Sequence, residues 1–123
     1  MNISRIAIVS LPVSDQKAAL AFYKNKLGFK VISDQPMGPG QRWIELAPSQ
    51  KGTTITLVTW FEEMPAGSVH GLVLETDDIV ADHAELLANG IEISPLAEEQ
   101  WGQFATFSDP DGNGWVLVQS PDA

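Results

Sequence analysis

Residues 71–94, GLVLETDDIVADHAELLANGIEIS, decide the fold of this chain, because they repeat the plan of residues 6–33, IAIVSLPVSDQKAALAFYKNKLGFKVIS. In both stretches a strand-like alternation precedes an acidic residue, a helix-like segment follows, and a glycine separates that segment from a second alternating run. Setting Asp15 on Asp77 also sets Gly28 on Gly90, at an offset of 62. The sequence therefore predicts two copies of one supersecondary unit.

The ends of the two predicted helices have a physical cause. Asp, Ser and Thr side chains accept hydrogen bonds from the free N–H groups of a first helical turn, and glycine adopts the left-handed conformation that ends a helix. The predicted N-caps are Ser14-Asp15 and Thr76-Asp77, and the predicted helices run to Leu27 and Asn89.

Each copy continues with further predicted strands. The run after the helix is expected to be a strand at 29–33 in the first copy and at 91–94 in the second. Two more strands follow in each copy, at 42–46 and 53–60, and at 103–108 and 115–119. We predict one α+β domain, residues 1–123, with a βαβββ module at about 1–61, a linker at about 62–68 and a second module at about 69–123.

The predicted strands have two unlike faces, since successive side chains of a strand point to opposite sides. One face is almost wholly apolar and is expected to pack under the helices, whereas the other mixes large aromatics, hydroxyls and carboxylates. Such a mixture suits a ligand cleft with apolar walls and a few placed polar groups, although a second chain covering this face is an alternative. The predicted cleft residues are Ser10, Trp43, Glu45, Thr56, Trp60, Glu75, Trp101, Phe104 and Thr106.

Composition and charge exclude several classes of function. The chain has 123 residues and no cysteine, which excludes disulfides and thiolate metal sites. A net charge of −9 argues against binding to nucleic acid or anionic membranes, and no apolar run is long enough to span a bilayer. The first residues lack the pattern of a signal peptide, so a cytoplasmic location is expected. All seven basic residues lie within 1–51 beside three acidic ones, a balance of +4, and the rest of the chain carries −13.

Four segments spread over the chain carry a resemblance to a known family. They are Leu11-Pro12-Val13-Ser14-Asp15, Phe22-Tyr23 with Leu27-Gly28-Phe29, Leu74-Glu75-Thr76-Asp77-Asp78, and Phe107-Ser108-Asp109-Pro110-Asp111-Gly112-Asn113-Gly114. In these segments and their spacing the chain resembles the vicinal oxygen chelate superfamily, which groups glyoxalase I, extradiol dioxygenases, fosfomycin-resistance enzymes and bleomycin-binding proteins. The resemblance implies paired βαβββ modules that form an open, curled mixed β half-barrel with helices on the convex side. It also implies a homodimer in which module 1 faces module 2 of the other chain.

The resemblance also implies where a divalent metal would bind in the enzymes of this superfamily. The four ligand positions fall on Ile8, Thr56, Gly71 and Val116. Ile and Val have no donor atom, Gly has no side chain, and a neutral Thr hydroxyl is a poor ligand. No cofactor is therefore predicted, although a displaced metal site built from His70, Glu45 and Glu75 stays open. The run 109–114 is expected to be a turn rather than a calcium loop, and His83 a structural residue.

Three functions compete at this point. The first is metal-independent binding of a small, cationic or aromatic molecule, with Trp and Phe side chains as walls and Glu45 and Glu75 selecting the ligand. The second is a metal-dependent lyase, isomerase or dioxygenase of the same superfamily, for which Glu45, Glu75 and His70 are the catalytic candidates. The third is an interaction module whose mixed face is an interface. The residues alone leave open whether the chain is an enzyme.

Overall fold

The computed structural model describes residues 1–121 and contains two compact units, Met1–Ala66 (unit 1) and Gly67–Ala123 (unit 2). Unit 1 runs β1 (Ile8–Pro12), α1 (Gln16–Ala21), a π-helical turn (Phe22–Lys26), β2 (Lys30–Gly38), β3 (Gln41–Ala47) and β4 (Thr54–Val58). Unit 2 runs β5 (Leu72–Glu75), α2 (Ile79–Ala88), β6 (Ala97–Glu99), β7 (Gly102–Ser108) and β8 (Gly114–Gln119). Residues 122–123, where the predicted second module ends, lie outside the described residues.

The sheet of unit 1 is open and mixed, with strand order β1-β4-β3-β2. β1 pairs parallel with β4, and the other pairs are antiparallel. The helix packs on β3 and β4, against the strand face that the sequence marks as apolar. The core between them is fully buried, and its largest members are Tyr23 of the π-helical turn and Leu11, Ile44, Leu46 and Leu57 of the strands. Burial of these side chains is the main driving force that fixes the register of the sheet.

The sheet of unit 2 has the same topology, with order β5-β8-β7-β6 and β5 parallel to β8. α2 packs on β7 and β8, where the rings of Phe107 and Trp115 stack with centroids 6.4 Å apart. Ile79 and Leu86 are the buried residues of α2. The predicted α+β class, with open mixed sheets and a helix on one face of each, is confirmed.

Gln16 ties the start of α1 to two strands of unit 1. It is a buried polar residue, and its Nε2 atom donates to the backbone carbonyls of Arg42 (2.7 Å) and Leu57 (2.8 Å). Its Oε1 atom accepts from the backbone N–H of Arg42 at 3.1 Å. One side chain therefore fixes α1 against β3 and β4 at the same time.

The N-cap of the second helix differs from the prediction. Asp15 caps α1 as expected, accepting from the N–H groups of Lys17 and Ala18, but α2 is capped by Asp78, which accepts from the N–H of Ala81. Equivalent N-caps are thus 63 residues apart, while the glycines that follow the helices remain 62 apart. The difference of one residue is explained by the π-helical turn of unit 1, since a π turn holds more residues than an α turn.

The predicted strand at 91–94 is also wrong. These residues lie beside β7, but the N–H of Thr106 donates to the Ser94 hydroxyl (2.8 Å) rather than to a backbone carbonyl. Pro95 then removes a backbone donor, so the ladder begins only at β6. In unit 1 the corresponding strand is longer than predicted, because β2 continues to Gly38 through two irregularities in its pairing with β3.

No helix within residues 1–121 has the length and the apolar character that crossing a membrane requires.

Candidate ligand-binding site

Three polar side chains lie side by side on the open face of unit 1, the face turned away from α1. Ser10 of β1 pairs with Thr56 of β4, and Thr56 pairs with Glu45 of β3. Directly paired residues share a face and have Cβ atoms about 4.5–5.5 Å apart. Ser10, Thr56 and Glu45 therefore form one polar row across three strands. All three were predicted as cleft residues.

The Glu45 carboxylate is oriented by two hydrogen-bond donors. Trp43 Nε1 donates to Oε1 at 3.3 Å, and Thr54 Oγ1 donates to Oε2 at 2.8 Å. An ionised carboxylate has about four acceptor positions, so each oxygen keeps one for a further donor. The two protein donors hold the carboxylate in place without exhausting its capacity to bind.

Neither Arg42 nor Arg5 neutralises Glu45. Arg42 instead pairs with Asp34 at 2.7 Å, and the Arg5 guanidinium donates to the Gly52 carbonyl at 3.5 Å. Within residues 1–121 Glu45 has no cationic partner. Its negative charge, on a half-buried side chain, is thus available to a ligand.

Thr56, in the middle of the row, carries a hydroxyl with no hydrogen-bond partner within residues 1–121, although the residue is only 2% exposed. Burying a hydroxyl unpaired costs about 1–3 kcal/mol, and native proteins seldom tolerate this without a reason. Ser10 is half-buried, and its hydroxyl makes no hydrogen bond within the described part of the chain. The row is therefore polar and partly buried, and Glu45 is the member whose hydrogen bonds are made.

Trp43 and Trp60 complete the predicted cleft residues of unit 1. Both are half-buried, and Trp60 lies with its ring centroid 6.2 Å from that of Phe61. The Trp43 indole N–H donates to Glu45, so both the aromatic ring and its N–H lie on the open face of unit 1.

The open face of unit 2 is less polar. The row that matches the polar row of unit 1 consists of Val73, Val116 and Thr106. The exposed Trp101 packs on Phe104 with ring centroids 5.0 Å apart, and the next row places the exposed Glu75 across Val118 from Phe104. The remaining predicted cleft residues therefore lie on this face or at its edge.

Unit 2 also contains an open cavity of about 520 Å³. It is lined in part by Gly71, Gly114 and Val116, and by Thr106 and Ser108, and a side chain at Gly71 would meet no atom within 4 Å. Its volume lies in the range of small-molecule sites, about 300–1,000 Å³.

The four positions where a metal would bind do not fit one. Ile8 is 40% exposed and apolar, Gly71 and Val116 offer no donor atom, and the Thr56 hydroxyl is neutral. Within residues 1–121 no three His, Cys, Asp or Glu side chains are grouped so that they could hold a metal.

The two histidines and the 109–114 run have structural surroundings. His83 Nε2 donates to the Ser94 carbonyl at 2.8 Å. His70 is exposed, and its ring lies beside Gly114: a Cβ at Gly114 would be 3.2 Å from His70 Nδ1. The buried Asp109 accepts from the backbone and the side-chain amide of Asn113 at 2.9 and 2.8 Å. The run is a hydrogen-bonded turn, as predicted.

The fold and the residues of this face define a class of protein. The chain belongs to the Glyoxalase/Bleomycin resistance protein/Dioxygenase superfamily, whose family model matches residues 5–117. This confirms the resemblance found in the sequence.

The relatives of this chain include an uncharacterized protein, an antibiotic binding protein and an epimerase. The chain is 36% identical over 121 residues to the uncharacterized protein YetH of Bacillus subtilis, covering 95% of this chain and 99% of YetH. It is 45% identical to TnmS3, an antibiotic binding protein from Streptomyces sp. CB03234, whose crystal structure superimposes with a TM-score of 0.92 over 98% of both chains. It is 28% identical over 135 residues to human mitochondrial methylmalonyl-CoA epimerase, covering 99% of this chain and 76% of the epimerase.

Sequence reasoning assigned no role to Thr54. The alternation of β4 places it on the open face, but its bond to Glu45 depends on the register between β3 and β4, which the sequence does not state. The signal that could have found it is the run of alternating threonines, Thr54 and Thr56, opposite a carboxylate-bearing strand.

Proposed function

We propose that this protein binds a small cationic or aromatic molecule of antibiotic type on the open faces of its sheets, without a metal ion. The observation that carries the proposal is the polar row, in which a carboxylate held by two donors keeps free acceptor positions and has no cationic partner within residues 1–121. A cation that binds this carboxylate only in the folded protein raises the free energy of unfolding. The likeness to an antibiotic binding protein supports the same conclusion.

The ligand contacts that we propose are the predicted cleft residues, each on the open face or edge of its own sheet. In unit 1, Glu45 would receive a protonated amine or another N–H donor, and Trp43 and Trp60 would offer aromatic surface. In unit 2, Trp101 and Phe104 would stack on a ring, with Thr106 and Glu75 as polar contacts. Arrangements of aromatic walls with few polar groups are typical of small-molecule sites.

Metal independence is part of the proposal. It is supported by the donor-poor residues at the four ligand positions and by the lack of a grouped set of His, Cys, Asp or Glu within residues 1–121. Elemental analysis of protein purified without added metal tests this directly. Stoichiometric metal, together with a rise of the melting temperature on adding Mn, Fe, Ni, Co or Zn, would favour a metal-dependent enzyme instead.

The test of ligand binding compares arylmethylamines such as benzylamine, which are cationic at neutral pH, with their N-acetylated, uncharged counterparts. Tryptophan fluorescence and the melting temperature of the EDTA-treated protein are the readouts. The proposal expects the amines to bind and the acetylated compounds to bind more weakly. In Glu45→Gln, affinity for the amines falls about 10- to 100-fold, since a hydrogen bond to a charged group contributes about 1.5–3 kcal/mol.

A matched control for this test is Glu63→Gln. It makes the same change of charge in unit 1, on an exposed residue outside the sheet, and should leave binding unchanged. No response to any cationic aromatic compound, or equal loss in both variants, would contradict the proposal.

We also propose that the protein acts in the cytoplasm as a homodimer in which unit 1 of one chain faces unit 2 of the other. The charge balance of +4 in residues 1–51 against −13 in the remainder supports a head-to-tail pairing. Sedimentation should therefore give a dimer that weakens as salt is raised. A dimer indifferent to salt, or a monomer at low ionic strength, would argue against this arrangement.

A further inference from the structure

We infer that the cavity of unit 2 binds an ammonium group that carries a hydroxyl on a neighbouring carbon, with Glu92 holding the cation and the hydroxyls of Ser108 and Thr106 selecting the ligand's hydroxyl. The inference rests on the proposed function for the class of ligand, a small cation, and deepens it. It adds a carboxylate that is absent from the contacts proposed above, and it specifies a second polar group beside the charge.

The position of Glu92 follows from the way residues 91–94 run beside β7. The N–H of Ser94 donates to the Thr106 carbonyl at 2.9 Å, and the chain then continues into β6, which is antiparallel to β7. Glu92, two residues before Ser94, therefore lies beside Ser108, two residues after Thr106. Both side chains line the cavity of about 520 Å³.

The polar side chains of this cavity are accessible to a ligand. Glu92, Thr106 and Ser108 are all exposed, and a Cβ at Gly71, on the cavity wall, would meet no atom within 4 Å. Within residues 1–121 the Glu92 carboxylate and the Ser108 hydroxyl make no hydrogen bond. The Thr106 hydroxyl makes one, a long bond of 3.4 Å donated to Ser94. These groups therefore keep acceptor positions, and Ser108 also a donor, for a bound molecule.

The charge of unit 2 favours a cation over an anion in this cavity. All seven Lys and Arg residues of the chain lie within 1–51, so unit 2 contains neither type. Glu92 has no ion pair within residues 1–121, and the other carboxylate at the cavity, that of the buried Asp109, accepts from the Asn113 amide. An ammonium group that enters the cavity meets a negative potential.

The cavity is separate from the aromatic pair of Trp101 and Phe104. Phe104 and Ser108 share the open face of β7 but are four residues apart, about 13 Å along the strand. A ring stacked on Phe104 therefore does not fill the cavity. An ammonium group beside a hydroxyl does suit it, because the N–H groups bond the carboxylate in charge-assisted hydrogen bonds and the hydroxyl bonds Ser108 or Thr106.

Three matched probes separate the charge from the hydroxyl. The compound trans-2-aminocyclohexanol carries an ammonium group and a hydroxyl on neighbouring carbons. Cyclohexylamine carries the charge alone, and trans-1,2-cyclohexanediol carries hydroxyls without charge. None of the three is aromatic, so none uses the stacking surfaces of the open faces.

NMR titration of the full chain, followed through the backbone amides, measures the three affinities. The amino alcohol should shift the amides of Gly71, Ser108 and Gly114. It should bind about three- to tenfold more tightly than cyclohexylamine, as one added neutral hydrogen bond predicts, and about tenfold or more tightly than the diol, which lacks the charge.

Variants of the cavity residues assign each contact. Glu92→Gln should lower the affinity for the amino alcohol about 10- to 100-fold, because it removes the charged acceptor. Ser108→Ala combined with Thr106→Val should bring the ratio of the two amine affinities to about one. The matched control is Glu85→Gln, the same change of charge on an exposed residue of α2, outside the cavity, which should leave the affinities unchanged.

Equal affinity for the amino alcohol in the wild type and Glu92→Gln, an equal loss in Glu85→Gln, or amide shifts confined to residues outside the cavity would overturn the inference. Titration of Glu45→Gln with benzylamine keeps the two proposals apart. If benzylamine binding depends on Glu45 while amino alcohol binding is indifferent to Glu92, the proposed function stands and the inference falls. If the amino alcohol binds through Glu92 while benzylamine does not bind through Glu45, the inference stands and the role of the polar row falls.

Discussion

Replacing Gln16 by alanine should cost more stability than any other change of a polar helix residue in unit 1. The side chain makes three hydrogen bonds, two donated to the carbonyls of Arg42 and Leu57 and one accepted from the N–H of Arg42. At about 1 kcal/mol for each, Gln16→Ala should lower the free energy of unfolding by about 3 kcal/mol. For a chain of this size the melting temperature should fall by about 12 °C.

Urea unfolding followed by tryptophan fluorescence and circular dichroism measures this change. A matched control is Gln50→Ala, since Gln50 is exposed and its side chain makes no hydrogen bond within residues 1–121. Gln16→Glu keeps the volume and the acceptor but loses both donated bonds, so it should be at least as damaging as Gln16→Ala. If Gln16→Ala lost no more stability than Gln50→Ala, the account of how α1 is fixed to its sheet would be wrong.

Three further predictions concern the core, a backbone position and the site. Leu57→Ala should lower the free energy of unfolding by about 3 kcal/mol in a urea titration, because the side chain is fully buried; a loss below about 1 kcal/mol would contradict its place in the core. Gly102→Ala should unfold the protein at room temperature or nearly so, because a Cβ would overlap the carbonyl oxygen of Gln119; Gly28→Ala, at a similarly unusual φ but in open space, should remain folded. Thr54→Val should weaken amine binding about three- to tenfold with little change in melting temperature, since it removes one donor that orients the carboxylate; unchanged affinity would show that this donor is dispensable.

The sequence was sufficient for much of the fold because its signals are local. Strand alternation assigned Ile44 and Leu57 to the core and Glu45 and Thr56 to the opposite face, and the structure agrees. The extra residue of the π-helical turn escaped prediction, since the composition of residues 22–26 is compatible with an ordinary α-helix. Because the π-helical turn adds one residue between the N-cap and the glycine of unit 1, matching Asp15 to Asp77 placed the N-cap of α2 one residue too early.

The sequence predicts which strand face carries the candidate site, but not the pairing and hydrogen bonds of its side chains. Ser10 and Thr56 become neighbours through a parallel pairing of strands that are 46 positions apart in the chain, and no local pattern sets that register. Whether Glu45 bonds Thr54 or an arginine depends on side-chain rotamers and on the competing partner Asp34. That the Thr56 hydroxyl has no hydrogen-bond partner within residues 1–121 follows only from the packed structure.

The most direct test of the central claim is a calorimetric titration of EDTA-treated protein with benzylamine, in the wild type and in Glu45→Gln. Binding through the polar row without a metal predicts one saturable site in the wild type, the same affinity with or without EDTA, and a loss of about tenfold or more in Glu45→Gln. Binding that disappears with EDTA and returns only with a divalent metal, or that is the same in both proteins, would contradict the claim.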